Sequence, residues 1–170
     1  MKTSLFTVTI IFFLFQSTFS TAREKSGKLD LSAGYSIPEI CHFGLRYNYQ
    51  PTRRIDFRLG SNMLPGDFYS ATLNHAWYFG KENKITGQKR WTVNSAVTAS
   101  YRSNHHREGY LSYFSLFFAR EFMLSKKWFI QPEAGASHLI SDNTKIMDEF
   151  YEGYTIRVTP RFGVSIILKL

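Results

Sequence analysis

From Tyr154 to Leu170 the chain alternates for seventeen residues. Tyr154, Ile156, Val158, Pro160, Phe162, Val164, Ile166, Leu168 and Leu170 are apolar, and Thr155, Arg157, Thr159, Arg161, Gly163, Ser165 and Lys169 lie between them, with Ile167 as the exception. A period of two places the first set on one face of an extended strand and the second on the other. Ordinary strands are about five or six residues long. A strand this long, with one continuous apolar face, needs a broad apolar environment to lie against.

The same parity runs through the chain. Lys28 to Ile37 sets Leu29, Leu31, Ala33, Tyr35 and Ile37 against Asp30, Ser32, Gly34 and Ser36. Ile40 to Tyr49 sets Cys41, Phe43, Leu45, Tyr47 and Tyr49 against His42, Gly44, Arg46 and Asn48. Further alternating runs cover Arg54 to Ser61, Phe68 to Gly80, Trp91 to Tyr101 and Trp128 to Ile140. Tyr110 to Met123 has aromatics on both faces; placing Tyr110, Phe114, Leu116 and Phe118 outward sends Glu121 inward, and a β-bulge there would reverse the assignment locally. Turn residues separate the runs at Pro38-Glu39, Gln50 to Arg53, Leu64 to Asp67 and Leu124 to Lys127. Longer connections are expected at Lys81 to Lys89, Arg102 to Gly109 and Ser141 to Gly153. The expected fold is all-β, an eight-stranded antiparallel up-and-down transmembrane β-barrel over residues 28–170.

The start of the chain fits export. Lys2 precedes an apolar run from Leu5 to Phe15, and Ser20-Thr21-Ala22 supplies the small residues of a cleavage site, so residues 1–22 read as a signal peptide and 23–27 as a polar leader. The apolar run is too short for a helix across about 30 Å of hydrocarbon. Removing 22 of 170 residues leaves 148, and losing Lys2 lowers the net charge from +8 to +7. An exported basic chain meets lipopolysaccharide phosphates, not nucleic acid. The mean hydropathy of −0.24 does not reveal the membrane character, because alternating strands never form a long apolar window. Cys41 is the single cysteine, which excludes an internal disulfide.

Aromatic placement orients the apolar face. Trp77, Trp91 and Trp128 fall at one rim of an up-and-down meander, with Tyr47 and Tyr49. Tyr35, Tyr69, Tyr101, Tyr110 and Tyr154 fall at the other. Two girdles around a smaller apolar band mark a lipid-facing surface. A soluble secreted lipocalin-like barrel, whose apolar face is inward, would have no reason to sort its aromatics this way. The tryptophan rim is expected on the periplasmic side, where a signal peptide leaves the N-terminus.

The polar face then lines the lumen with Asp30, Arg46, Arg54, Asp56, Arg58, Glu121, Glu133, Arg157, Arg161 and Lys169. Eight strands leave an interior just wide enough for side chains, and buried charges persist only when paired. A plugging ion-pair network is the expectation, with Glu121 and Glu133 meeting partners such as Arg157 or Arg161. On architecture, the mature chain resembles the small eight-stranded outer-membrane barrels of the OmpA/OmpX type, with a C-terminal strand like the one such barrels present to their assembly machinery. It ends in Leu170 where that family usually has an aromatic.

The resemblance implies an outer-membrane location and a structural or surface role, with lipopolysaccharide and other outer-membrane lipids as partners through the basic loop and rim. No cofactor or metal is implied: His105-His106 cannot easily converge on one ion from a strand. The rival is a lipid A-modifying acyl hydrolase or acyltransferase using Ser137 or Ser141 with His138, near Asp142. The His-x-Ser motif of lipid A deacylase barrels is absent, since the chain reads His138-Leu139-Ile140-Ser141. Pro132 and Pro160 each remove a ladder donor from neighbouring strands. They imply either a bulge or a weakened seam between the seventh and eighth strands that could admit a lipid chain.

Overall fold

Each alternating run becomes a strand whose polar residues turn away from its apolar ones. A computed structural model describes residues 28–37, 39–62, 68–82, 89–103, 107–146 and 156–170. The expected signal peptide and leader, Tyr154, His105-His106 and parts of three connections lie outside the described residues.

The strands are β1 (Lys28–Ser36), β2 (Ile40–Gln50), β3 (Arg53–Ser61), β4 (Phe68–Glu82), β5 (Lys89–Ser103), β6 (Arg107–Arg120), β7 (Phe122–Met123), β8 (Trp128–Ile146) and β9 (Val158–Lys169). β6 and β7 form one stave interrupted at Glu121, so the sheet has eight staves. Every pairing is antiparallel. β1 pairs with β9 from Asp30↔Lys169 to Ser36↔Gly163, which closes the sheet into an up-and-down barrel.

The apolar face looks outward. Leu73 is 59% exposed, while its neighbours Thr72 and Asn74 are 1% and 0% exposed. Leu29, Phe57, Val97 and Ile166 are likewise exposed on the outer wall. A lipocalin-like core is therefore excluded. Trp91 and Tyr101 are ten residues apart on β5; at ~3.3 Å per residue and a tilt of about 40°, the two girdles stand roughly 25 Å apart along the barrel axis.

Four strands extend past the sequence expectation. β8 continues through Ile146, taking Ser141 to Ile146 from the expected loop, and β5 and β6 meet at Ser103↔Glu108. β4 runs to Glu82 and β5 starts at Lys89. These segments rise beyond the apolar band, where both faces are polar, so the ladder continues without a hydrophobic period to announce it. β9 begins at Val158, later than Tyr154. The bulge considered for the sixth strand lies in its neighbour: Ser112↔Ser141 is followed by Tyr113↔Leu139, leaving Ile140 as the extra residue.

The prolines do not weaken the seam between the last two strands. The β8–β9 register runs from Trp128↔Leu168 to His138↔Val158 without a shift. The amide of Leu139 donates to Arg157 of β9 and that of Lys169 to Lys127, so odd-numbered residues carry this seam's hydrogen bonds. Pro132 and Pro160, at even positions, point their missing donors elsewhere. Pro132 faces the sixth stave opposite Arg120, beside the interruption at Glu121. Pro160 faces the β1 side beyond the last rung of that ladder. The seam expected from the sequence is thus corrected, and so is the bulge.

If the outer wall lies in hydrocarbon, Phe57→Arg at its middle destabilises the folded barrel by about 2–4 kcal/mol. Denaturant titration of the protein refolded into bilayers measures this, and an unchanged midpoint would exclude a lipid-facing Phe57.

Candidate functional site

The functional candidate is the lumen, built by the inward residues of every stave. Two charge clusters fill it, and Asp56 joins them. Toward the tryptophan end, Glu121 Oε1 accepts from Arg46 Nη2 at 2.6 Å and from Arg54 Nη1 and the Tyr78 hydroxyl at 3.1 Å each. Lys169 Nζ lies 3.4 Å from the other oxygen of Glu121. Arg54 grips Asp56 through two nitrogens, at 2.5 and 3.1 Å, and Asn74 donates to the same carboxylate at 2.8 Å. Toward the tyrosine end, Arg161 Nη2 stands 2.8 Å from both Glu39 and Glu133. Arg58 lies 3.2 Å from Glu133, 3.6 Å from Glu39 and 3.7 Å from Asp56.

The charges balance. Among the described residues the lumen holds five carboxylates (Asp30, Glu39, Asp56, Glu121, Glu133) and five cations (Arg46, Arg54, Arg58, Arg161 and the partly exposed Lys169). Balance is what burial requires, since an unpaired buried charge costs several kcal/mol. Aromatic rings fill the rest: Arg161 sits 4.1 Å from the Phe117 ring centroid, and Lys169 sits 4.4 Å from that of Phe129. Gly44 makes room for this packing, because a Cβ there would stand 3.0 Å from Arg58 Cγ and 2.7 Å from the carbonyl oxygen of Phe57.

Two lumen assignments differ from the sequence reading. Arg157 is exposed and outside the network. It shares the inward parity of Arg161 but precedes β9, above the last rung with β1. Glu121 and Glu133 accordingly pair with Arg46, Arg54, Arg58, Arg161 and Lys169. Glu39, assigned to a turn, is fully buried and pairs with Arg161 and Ser36. Ile40 adopts φ of 60°, a left-handed conformation unusual for a β-branched residue. The backbone reverses there and Glu39 turns back into the barrel mouth. Alternation carries no signal for such a residue. Tyr78 and Asn74, in contrast, sit on the polar parity of β4 and could be read from it.

The hydrolase vocabulary falls apart at its expected place. Ser137 is buried, 2.8 Å from Ser115 across the lumen wall. His138 is the next residue of the strand and is exposed on the opposite face. Ser141, past the bulge at Ile140, is exposed also, two rungs from His138 in the pairing with β6. A serine–histidine contact occurs elsewhere: His42 Nε2 is 3.1 Å from Ser165 Oγ, its Nδ1 is 3.3 Å from Ser36, and Ser36 donates to Glu39. All four residues are buried. A nucleophile sealed in this way has no room for an acyl substrate, and the chain of hydrogen bonds orders the upper lumen.

On the outer wall Trp91 and Trp128 are exposed and Trp77 is half-buried at one rim. Tyr35, Tyr69 and Tyr110 are exposed and Tyr101 half-buried at the other, where Tyr101 packs 5.1 Å from Tyr110. Cys41, half-buried, lies across from Tyr35.

No family model matches the chain, and no curated protein matches it. Among solved structures, the crystal structure of Acinetobacter baumannii CarO is similar at a TM-score of 0.47 and 11% identity, over 89% of this chain and 100% of that one. The functional reading rests on the barrel's own side chains.

Arg161→Met leaves Glu39 and Glu133 short of their closest cation and lowers stability by about 3–5 kcal/mol. Adding Glu133→Gln recovers part of that loss. Denaturant unfolding of the single and double variants in micelles checks both, and a neutral Arg161→Met would mean the upper cluster carries no stability.

Proposed function

We propose that the chain is an integral barrel of an outer membrane, with a plugged lumen and a structural or surface role. The observation that carries this reading is the inversion of an ordinary core. Charge is buried and balanced inside, and an apolar wall with two aromatic girdles faces out. Such a wall is stable only against lipid. The filled lumen supports a role exerted from the surface and rims, not through a conduit.

At the tyrosine rim, Arg102, Lys145 and Arg157 are exposed beside Glu108 and Asp142. These cations support contact with lipopolysaccharide phosphates there. The lipid A-modifying alternative has less support, since Ser137 and His138 occupy opposite faces of β8.

Planar-bilayer recording tests the plugged lumen: the purified barrel gives no large, stable conductance, and steady channels in the unmodified protein would overturn the reading. Orientation is tested in intact cells with Cys41→Ser as background. A cysteine at Lys145 reacts with an impermeant maleimide and one at Lys126 does not; the reverse pattern would place the tyrosine rim, and its proposed lipopolysaccharide contact, on the wrong side.

A further inference from the structure

We propose that Arg120 anchors a binding site for the headgroup phosphate of an anionic glycerophospholipid, on the outer wall at the tryptophan end. The inference rests on the reading of the chain as bilayer-spanning. Arg120 closes β6 directly across from Trp91 of β5. Its guanidinium carbon lies 4.9 Å from the Trp91 ring centroid and 4.7 Å from that of Phe122. Phe118, the preceding residue on this face of the stave, is exposed, and on the far side the wall continues with exposed Pro132. None of these side chains offers a hydrogen-bond acceptor. Arg120 Nε is buried and has no hydrogen-bond partner, and no ion pair joins Arg120 to a carboxylate among the described residues.

The contrast with the lumen is direct, because each of the five lumen cations has a carboxylate within 4.0 Å. Arg120 is a guanidinium set among aromatic rings at girdle height, where lipid phosphates lie. The two rings pack against the guanidinium and Nε is enclosed, which leaves the edge formed by its two terminal nitrogens. That edge is a planar fork suited to two oxygens of one phosphate. The surrounding charge favours an anionic headgroup over a zwitterionic one. Arg53, Lys81, Lys89, Arg90, Lys126 and Lys127 stand at the same end, against the single acidic side chain of Glu82 among the described residues. Both described chain ends, Lys28 and Leu170, also lie at this end.

The test uses the full barrel with Trp77→Phe and Trp128→Phe, which leaves Trp91 as its one tryptophan. It is reconstituted in phosphatidylcholine vesicles containing brominated phosphatidylglycerol, brominated phosphatidylcholine or brominated lipid A. Brominated phosphatidylglycerol should quench Trp91 at about fivefold lower mole fraction than brominated phosphatidylcholine. Arg120→Gln should abolish that preference, and Arg120→Lys, which keeps the charge but loses the fork, should fall between. Heat-shifted electrophoretic mobility confirms that the variants are folded.

Equal quenching by phosphatidylglycerol and phosphatidylcholine would overturn the proposal. A preference surviving in Arg120→Gln would also overturn it and assign the effect to the diffuse charge of the rim. Stronger quenching by lipid A than by phosphatidylglycerol would overturn the choice of a glycerophospholipid. Co-flotation with the vesicles separates the two levels: a barrel that fails to float overturns the bilayer reading and the proposal together, whereas one that floats without lipid preference overturns the proposal alone.

Discussion

Hydrocarbon offers no water to an open strand edge, and closure is the condition on which the other features of this barrel depend. The β1–β9 ladder joins the two ends of the sheet and gives every stave two neighbours. With eight staves the interior is only wide enough for side chains. The outer wall is mainly apolar, so most polar strand residues at its height are sent into that narrow space. Arg46, Arg54, Arg58 and Arg161 can be buried there only because Glu39, Asp56, Glu121 and Glu133 meet them. On the proposed membrane reading, the lumen network follows from closure in lipid, as does the inversion that distinguishes this barrel from a soluble one.

Proline tests the same condition. A missing donor inside a closed ladder would leave a carbonyl without a partner in hydrocarbon. Pro160 avoids this by facing the β1 side beyond the last rung of that ladder. Pro132 does not avoid it: it stands opposite Arg120, and the stave breaks between Arg120 and Phe122. Glu121, at the break, still donates its amide to Arg90 of β5 and sends its carboxylate to Arg46 and Arg54. The interrupted stave is thus held from its other neighbour and from inside the lumen.

The parity of apolar residues made most of this fold legible in the sequence. It located the strands, sent Asp56, Glu121 and Arg161 inward, and placed Trp91 and Tyr101 at opposite rims. Parity is a statement about faces, and it loses meaning where neither face is apolar. Ser141 to Lys145 extend β8 as polar residues on both sides, and only backbone pairing shows that they are strand. Parity also ignores height, so Arg157 read like Arg161 although it stands above the mouth. Glu39 was invisible for a third reason: its burial depends on a single backbone reversal at Ile40, which no periodicity encodes. The prolines required the direction of each amide, a property of pairing and not of composition.

Because the lumen charges cancel, the excess of 21 Lys and Arg over 13 Asp and Glu lies outside it. Among the described residues that excess is uneven. The tyrosine rim mixes Arg102, Lys145 and Arg157 with Glu108 and Asp142, whereas the tryptophan end gathers Arg53, Lys81, Lys89, Arg90, Arg120, Lys126 and Lys127 around Glu82. Like charges at one rim repel unless anions lie among them. On the proposed membrane reading, a bilayer would supply those anions as phosphates at the height of the girdles, and an anionic leaflet at the tryptophan end would lower the energy of the inserted barrel. Arg53 faces outward across from Trp77, and Lys81, Lys89, Arg90, Lys126 and Lys127 lie at the strand ends and turns. Arg120, held on that wall between Trp91 and Phe122, is a cation whose charge must be answered at the lipid surface itself.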